Sequence, residues 1–399
     1  MKAIVKALYR AGAHLAPQRL KPLLMPVANT MRHFFEPAAA IASVPTPPLP
    51  ELATSQPRRP RVLHVIGNFM LGGSSRLVMD IVENLSDEYD HHVVTSCQQS
   101  PPVYLNITVT EIRRPQSPED AAAIMRAYQP DLVHVHYWGD CDFWWYDLFF
   151  KASQLLNCRV IENINTPVEP YHAEFISRYM YVSHYVQRQF GVLGAPNMTI
   201  YPGSDLTFFT RRNSAMPPDD TIGMVYRLEN DKLNAQSIDV FIKVAQRRPS
   251  TRVIIVGGGS NLEHYRKACV RAGVDANFEF TGYVDYKTLP DWYERLSMFV
   301  APVWKESFGQ VSPFAMNMHI PVVGYNVGGI AEIVQDDSLL AEPENSDELA
   351  DIVVALLDNP ERRRAIGAKN HQRAQSVFSI EAMVEAYRSV YAETLTLKK

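Results

Sequence analysis

Two basic residues, Arg227 and Lys232, lie five positions apart on a predicted loop that follows an apolar strand. An arginine can bind diphosphate oxygens through a bidentate fork, and a lysine binds them as a point charge. Two basic residues on a loop are usually just solvated. This loop, however, is predicted at the same sheet edge as an acid, Glu306, so we interpret the pair as a candidate clamp for a diphosphate.

Glu306 is the lone acid of a turn, Trp304–Gly309, within the stretch 298–334, which reads MFVAPVWKESFGQVSPFAMNMHIPVVGYNVGGIAEIV. The stretch predicts a strand, a turn and a helix, twice over, and Gly328-Gly329 opens the last helix. The free N–H groups and the positive dipole end of a helix N-terminus suit a phosphate. Glycine turns occur at such junctions in any α/β domain, but two junctions that flank a charged loop favour a nucleotide-type ligand.

The elements that position these residues form two series in which apolar strands alternate with helices. The first series begins at Arg61, the second begins at Thr221, and the chain after Leu340 is predicted to be helical. Such alternation predicts an α/β fold with two doubly wound parallel sheets, whose ligands bind at the carboxyl ends of the strands. The first series has these residues at its strand ends: Gly72-Gly73, His134, His136, Asn163, Asn165, Ser183 and Pro202-Gly203. We therefore expect two similar units in tandem with a cleft between them.

Composition narrows the class of protein. The 399 residues are 46% hydrophobic and 21% charged, which is ordinary for soluble domains with a sizeable core. The net charge of −4 argues against a general nucleic-acid binder. Four widely separated cysteines without C-x-x-C spacing indicate a reducing compartment, and no apolar run approaches the roughly 20 residues that span a bilayer. We expect a cytoplasmic protein.

The N-terminal segment, residues 1–35, has six basic residues and no acid. On a helical wheel its apolar and basic residues lie on opposite faces, which is typical of a helix on an anionic membrane surface, here the inner face of the membrane. An organellar transit peptide or an ordinary packing helix has the same pattern. Residues 36–60 contain seven prolines and are predicted to be a semi-extended linker.

The second series also carries motifs that are weak singly but specific in their order and spacing. They are Arg227…Lys232, Val256–Gly259, Phe280–Val284, Pro302…Glu306–Gly309 and Gly324…Val327–Val334. In these motifs the chain resembles the donor-binding half of retaining GT-B glycosyltransferases, specifically glycosyltransferase family 4. The first series matches more weakly, through Gly72-Gly73, Asp131–His136, Val182-Ser183 and Tyr201–Asp205. The resemblance covers about residues 61–395.

The resemblance implies a GT-B fold, in which two Rossmann-like doubly wound domains face each other across a cleft, with an N-terminal amphipathic extension in this chain. A nucleotide-sugar donor would bind the second domain and an acceptor the first. The expected boundaries are a 61–204 acceptor domain, a 205–219 connection, a 220–376 nucleotide-sugar domain and a 377–399 helix that packs back on the acceptor domain.

Site roles follow from the same resemblance. Arg227 and Lys232 would stabilise the leaving nucleoside diphosphate, and Glu306 would accept hydrogen bonds from the donor sugar. Further donor contacts would come from Gly72, Gly73, Gly257, Gly258, Ser307, Phe308 and Gly309. The family's reaction is thought to need no metal, so no cofactor is expected beyond the nucleoside-diphosphate sugar.

The chain departs from the family at two positions. The family's second glutamate, which usually binds the ribose hydroxyls, is replaced by Phe314. A histidine near the reacting centre is replaced by Asn165, which can donate or accept a hydrogen bond but cannot exchange a proton near neutrality. Nucleotide recognition must therefore differ here, and Glu332 and Glu162 are the nearest alternative acids by predicted topology.

Acceptor contacts are predicted at His136, Trp138 and Asn163. His134 and His136 alternate along a strand, and we expect them to point to opposite faces and to form no metal site. The aromatic residues of 137–150 could include an acceptor platform or a membrane-facing wall, although burial between sheet and helix accounts for most of them.

Three functions remain open at this point. The leading one is sugar transfer, with retention, from a nucleoside-diphosphate sugar to a lipid-linked or polysaccharide acceptor. The second is a pseudo-glycosyltransferase that keeps the fold as a binding or regulatory partner. The third is another GT-B sugar-nucleotide enzyme, such as an epimerase.

Overall fold

The computed structural model describes residues 58–70, 72–139, 142–212 and 220–397, and these belong to one compact unit. The predicted membrane-surface segment 1–35 and nearly all of the linker 36–60 lie outside the described residues. Within the described ranges, no helix combines the length and the apolar character needed to cross a bilayer.

The first sheet has seven parallel strands in the order β3-β2-β1-β4-β5-β6-β7. Its strands are β1 (Arg61–Phe69), β2 (Asp90–Gln98), β3 (Thr108–Glu111), β4 (Leu132–Tyr137), β5 (Arg159–Ile164), β6 (Ile176–Tyr181) and β7 (Asn197–Thr199). The central strands are buried along most of their length because a parallel sheet with helices on both sides is covered on both faces. All six residues of β4, for example, are buried.

The second sheet has six parallel strands in the order β10-β9-β8-β11-β12-β13. Its strands are β8 (Thr221–Val225), β9 (Arg252–Val256), β10 (Phe278–Gly282), β11 (Met298–Ala301), β12 (Val322–Tyr325) and β13 (Leu340–Ala341). Both orders reverse direction beside the first strand of the sheet, which is the topological switch point where open α/β sheets bind ligands.

Twelve α-helices occur among the described residues. They are α1 (Gly73–Leu85), α2 (Pro118–Tyr128), α3 (Phe143–Leu155), α4 (His184–Phe190), α5 (Asp239–Arg247), α6 (Leu262–Ala272), α7 (Leu289–Glu294), α8 (Val311–Asn317), α9 (Ile330–Val334), α10 (Ser346–Leu357), α11 (Pro360–Val377) and α12 (Ile380–Thr396). Local sequence sets several of their starts. Helix α2, for example, begins after a capping box in which Ser117 and Asp120 each accept from the other's backbone N–H.

Helix α12 follows the second sheet in the chain but packs on the first. Its buried Tyr387, Val390 and Tyr391 join an apolar cluster with Val62 of β1 and Leu132 of β4. The chain returns to the first domain beside Gly203. A Cβ at that glycine would lie 2.7 Å from the Ile380 Cα, so the two passing segments are in close contact.

The predicted fold class of two doubly wound α/β domains is confirmed by these sheets. The first and second series begin at Arg61 and Thr221 as predicted, but β6 ends at Tyr181, before Ser183, which the sequence placed at a strand end. The two-residue strand β13 had no sequence signal because it is too short to show alternation. Its Leu340 and Ala341 pair with β12 at the sheet edge.

Candidate functional site

The loops that carry the predicted site residues meet between the two sheets. Gln310, just before α8, donates from Nε2 to the Gly203 carbonyl at 2.7 Å. A Cβ added to Gly73 would lie 3.9 Å from Gln310 Oε1, and one added to Gly72 would meet nothing within 4 Å. Packing inside the protein therefore gives no reason for glycine at either position, and the turn leaves open space beside the Glu306 loop.

A second contact joins the two domains one strand further along. Ser183, which follows β6 and caps helix α4 through the Val186 N–H, donates its hydroxyl to the Ser307 carbonyl at 2.6 Å. Ser307 is thereby held by its backbone, with its side chain half-buried. The carboxyl ends of both sheets thus face the same space.

Glu306 and Lys232 form an ion pair in this space. Lys232 Nζ lies 2.8 Å from Glu306 Oε1 and 3.0 Å from Oε2, and Glu306 is only 3% exposed. The Ser307 N–H also donates to Glu306 Oε1, at 3.1 Å. The Lys232 carbonyl accepts from the Trp304 N–H at 3.0 Å, which ties the two loops together. One cation and one carboxylate, the groups suited to a phosphate and a sugar hydroxyl, are therefore in direct contact.

Arg227 lies apart from this pair. Its guanidinium binds Asp231 at 2.7 Å, and the side chain is 62% exposed. An exposed ion pair of this kind contributes at most about 1 kcal/mol. Rotating Arg227 towards a diphosphate would therefore cost little, but the structure does not bring it into contact with Lys232 or Glu306.

Two glycine turns are fixed by backbone geometry. Gly257, after β9, has φ +131°, and a Cβ there would lie 1.9 Å from the Tyr226 carbonyl oxygen. Gly328 has φ +57°, and a Cβ there would lie 1.7 Å from the Glu306 carbonyl oxygen. Only glycine fits such positions. Both turns contact the backbone of the candidate-site loops, whereas a Cβ at Gly258 would meet only the exposed ring of Tyr283, at 2.6 Å.

Of the other predicted donor contacts, Phe308 and Gly309 are buried. The Phe308 ring stacks on Tyr201 with 5.5 Å between centroids and meets Phe378 edge-on. Phe308 therefore contributes a packing side chain, and any contact with a donor would come from its backbone.

Phe314 is a core residue. It is 7% exposed, and its ring stacks on Phe209 with centroids 3.8 Å apart and planes 8° apart. Phe209 belongs to the segment expected to connect the domains. The position that resembles the family's ribose-binding acid thus holds an aromatic stack, and Phe314 does not present a polar atom to a nucleotide.

The two alternative acids are already engaged. The Glu332 carboxylate accepts from the His184 N–H at 2.8 Å and from the Tyr201 hydroxyl at 3.0 Å, so it caps helix α4 across the domain boundary. Glu162 is fully buried in the first sheet, where burial raises its pKa well above the usual range. Its Oε1 accepts from the Tyr171 N–H.

Asn165 follows β5 at the same edge. The register that pairs Ile164 with Tyr181 puts Asn165 beside Val182, next to Ser183. Asn165 Oδ1 accepts a short hydrogen bond from Asn163 Nδ2. Asn165 Nδ2 is buried and has no partner among the described residues.

The predicted acceptor contacts lie deeper. His136 and Asn163 are 0% and 1% exposed and lie behind Asn165, so neither can touch an acceptor in this conformation. Trp138 is half-buried, and its indole Nε1 has no partner in the described part of the chain.

His134 and His136 do not point to opposite faces; that prediction was wrong. Residues two apart on a strand share a face, and the two ring centroids are 4.0 Å apart. With His64 of β1 they form the one group among the described residues that could hold a metal ion, with ring nitrogens within 4.8 Å of one another. The group lies under helix α12, where His134 Nδ1 is 2.8 Å from the Tyr391 hydroxyl. Burial lowers the pKa of all three imidazoles, to about 3 for His136.

The aromatic residues of 137–150 divide into two sets. Tyr137, Trp145, Tyr146, Phe149 and Phe150 are buried in the core. Phe143 and Trp144, at the start of α3, are 45% and 38% exposed and line an open groove of about 510 Å³ with Arg114, Gln116 and Asp147. The exposed pair, and not the buried set, is therefore available to a ligand.

Residues 208–373 match the family model described as "Glycosyl transferases group 1". The chain is 28% identical over 217 residues to the lipopolysaccharide core biosynthesis mannosyltransferase LpsB of Rhizobium meliloti, covering 50% of this chain and 61% of that one. It is 27% identical over 229 residues to a D-inositol 3-phosphate glycosyltransferase of Kribbella flavida, covering 52% and 54%. The match spans less than two thirds of either relative.

Solved structures share the fold over a larger region. Anabaena Alr3699/HepE in complex with UDP has a TM-score of 0.72 at 18% identity, covering 84% of this chain and 100% of that one. A glycosyltransferase from Rickettsia africae has a TM-score of 0.71 at 15% identity, covering 85% and 100%. The resemblance to GT-B glycosyltransferases is therefore confirmed, and the likeness to these two structures concerns the fold alone.

Proposed function

We propose that this relative of the group 1 glycosyltransferases transfers a sugar, with retention, from a nucleoside-diphosphate sugar to a lipid-linked or polysaccharide acceptor. The observation that carries the proposal is the Lys232–Glu306 ion pair, which joins the loops that follow β8 and β11, neighbouring strands of the second sheet. A cation that can bind a phosphate and a buried carboxylate that can accept from sugar hydroxyls therefore lie side by side at the switch point of the second sheet.

The chemistry would proceed by charge stabilisation. When a donor enters, Lys232 and Arg227 would turn to the diphosphate and stabilise the charge that develops on the leaving group. Glu306, released from Lys232, would accept hydrogen bonds from the sugar. Asn165 cannot take a proton near neutrality, so the departing phosphate itself would accept the proton of the attacking hydroxyl on the same face of the sugar. The two basic side chains supply the positive charge, and we propose that the transfer needs no metal.

The proposed donor and acceptor classes are supported by what two similar proteins bind or act on. Anabaena HepE binds UDP, which supports a uridine nucleotide as the donor's leaving group. LpsB is a lipopolysaccharide core mannosyltransferase, which supports a glycan or lipid-linked acceptor on the first domain.

A pseudo-glycosyltransferase remains the second candidate because one observation favours it. The Phe314–Phe209 stack occupies the position of the family's ribose-binding acid. A chain that lost catalysis could keep the diphosphate site for regulation while this position turned into core.

Turnover separates the two candidates. The full chain would be incubated with UDP-sugars and a glycan or lipid-linked acceptor mixture, and UDP release would be followed. Sugar transfer that is lost in Glu306→Gln, while calorimetry shows unchanged UDP binding, supports the enzyme. UDP binding with no UDP release from any donor supports the pseudo-enzyme. No binding of any nucleoside diphosphate contradicts both, and a fully active Glu306→Gln variant contradicts the role of that carboxylate.

A further inference from the structure

The Asn165 side chain ends a buried hydrogen-bond chain that begins on helix α12. The Tyr387 hydroxyl donates to Asn163 Oδ1, and Asn163 Nδ2 donates to Asn165 Oδ1, both through short hydrogen bonds. Tyr387 and Asn163 are 0% and 1% exposed. Water therefore does not compete for these groups, and each amide orientation is decided by its protein partners.

The direction of this chain follows from the tyrosine. A primary amide has one donor end and one acceptor end, so reversing Asn163 would reverse Asn165 as well. Among the described residues, Asn163 Oδ1 is the acceptor of the Tyr387 hydroxyl, and the reversed arrangement would leave that buried O–H without an acceptor. Such an orphan is unfavourable, because the buried hydroxyl loses its hydrogen bond without regaining one to water. Burial also raises the pKa of Tyr387, so the hydroxyl keeps the proton that it donates.

The far end of this hydrogen-bond chain, just after β5, is a buried donor without a partner among the described residues. Asn165 Oδ1 is taken by Asn163, which leaves Asn165 Nδ2 buried and without a partner in the described ranges. Buried polar atoms without a partner are rare. Asn165 follows Ile164, which pairs with Tyr181 of β6, and two residues after Tyr181 the Ser183 hydroxyl donates to the Ser307 carbonyl of the Glu306 loop. The unpaired N–H₂ group is therefore at the edge where the two domains meet.

We propose that Tyr387 and Asn163 are positioning residues that hold Asn165 as a hydrogen-bond donor to an oxygen of the bound nucleotide sugar. The inference rests on the proposed function for the identity of the ligand, and on the hydrogen-bond chain for the direction. Asn165 donates this hydrogen bond in every step of the reaction and does not act as a base. Helix α12, through Tyr387, thereby decides which end of the Asn165 amide is left for the ligand.

The direction can be tested without a substrate. In protein labelled with ¹⁵N-asparagine, the side-chain amide signals of Asn163 and Asn165 are assigned by mutation. Tyr387→Phe removes the anchoring hydroxyl and is expected to shift both signals. Tyr391→Phe is the matched control, because it removes a second buried hydroxyl from the same helix, one that contacts His134 instead. An Asn165 signal that is the same in Tyr387→Phe and wild type would show that Tyr387 does not set the orientation of Asn165.

The contact with substrate is tested separately. Asn163→Asp offers acceptors to both neighbours, so Asn165 must turn its carbonyl towards the cleft. We expect the gain in affinity of UDP-glucose over UDP, measured by calorimetry, to fall about tenfold, while the affinity for UDP and the values for Tyr391→Phe stay unchanged. An undiminished gain would show that Asn165 does not meet the sugar donor. If wild-type protein binds no UDP or UDP-sugar, the proposed function fails. The amide signals still show whether Tyr387 and Asn163 orient Asn165.

Discussion

At the scale of single residues, the cation and the carboxylate of the candidate site form an ion pair with each other. Glu306 is nearly inaccessible, and its carboxylate is neutralised by Lys232. A donor would give each of them a new partner, phosphate for Lys232 and sugar hydroxyls for Glu306. The two groups that a donor would use are therefore bound to each other.

Removing the cation alone should destabilise the protein. Lys232→Met leaves the Glu306 carboxylate buried without its ammonium partner, and we expect the free energy of unfolding to fall by about 2 kcal/mol. Adding Glu306→Gln should recover at least half of the loss, because the buried charge is then gone. Urea unfolding measures both, with exposed Lys305→Met as the control. Equal losses in the single and double variants would show that the ion pair is not the cause.

The two basic residues of the proposed diphosphate clamp should both contribute to ligand affinity. Arg227→Ala and Lys232→Ala are each expected to weaken binding of UDP by about 1.5–3 kcal/mol, the usual size of a charge-assisted hydrogen bond. Isothermal titration calorimetry measures the change, and Lys305→Ala provides a neighbouring cation for comparison. Unchanged affinity in the Arg227→Ala/Lys232→Ala double variant would remove the proposed diphosphate clamp.

Ribose recognition should be weak at position 314. Because Phe314 is stacked in the core on Phe209, it cannot accept bonds from ribose hydroxyls, and UDP and 2′-deoxy-UDP should bind within about tenfold of each other. Phe314→Glu would bury a carboxylate and should lower the melting temperature. Calorimetry with the two nucleotides checks the first point, and wild-type discrimination above tenfold would mean that another group reads the ribose.

Sequence reasoning was most successful where backbone geometry dictates residue type. Gly257 and Gly328 occupy turns that a side chain would obstruct, so the glycine motifs mark their loops directly. It was less successful with contacts between distant segments. The Phe314–Phe209 stack and the Lys232–Glu306 pair each join residues far apart in the chain, and no local pattern encodes them. The histidine prediction failed for a simpler reason, since strand alternation was applied to the wrong spacing.

At the scale of elements, helix α12 covers an unusually polar interior. His64 Nε2 lies 3.0 Å from His91 Nδ1, and His64 Nδ1 lies 3.2 Å from His136 Nε2. Burial lowers the pKa of His91 to about 4 and that of His136 to about 3. The folded protein therefore keeps these rings neutral where an unfolded chain would protonate them.

This difference predicts acid sensitivity. A histidine in the unfolded chain titrates near 6.5, so above about pH 7 the folded and unfolded states bind the same protons at these sites. As pH falls from about 7 towards 4, the unfolded state takes up protons that the folded state refuses, and stability falls by up to about 1.4 kcal/mol per pH unit for each ring. Urea unfolding across this range checks the slope. His91→Gln should make it shallower, whereas exposed His264→Gln should not, and an unchanged slope in His91→Gln would contradict the account.

At the scale of the whole molecule, contacts between side chains and backbone join the two domains. Glu332 accepts from backbone N–H groups at the start of α4, and Ser183 and Gln310 make the reciprocal contacts across the cleft. The domain arrangement could be predicted from two tandem strand–helix series. These contacts could not, because they depend on how far the domains close.

The N-terminal segment should act independently of this body. Residues 1–35 carry six basic residues and no acid, so we expect the full chain to sediment with vesicles of anionic lipid and to lose this binding in about 1 M salt. The chain shortened to residues 58–399, which form a compact unit of their own, should bind UDP equally well and remain in the supernatant. Equal sedimentation of both would place any membrane contact elsewhere.

The position of helix α12 also has a consequence for biosynthesis. A ribosome releases β1 to β7 first, but the helix that covers one face of that sheet emerges only after the entire second domain. Until then, apolar residues such as Val62 and Leu132 lack the α12 side chains of their cluster and have only its other members, among them Leu77 and Ile81 of α1. Domains that complete themselves early can fold during translation, whereas this first domain lacks part of its core until α12 has been made. Nascent chains should consequently depend on holdase chaperones, and a premature stop codon anywhere in the second half should leave both halves of the protein to proteolysis.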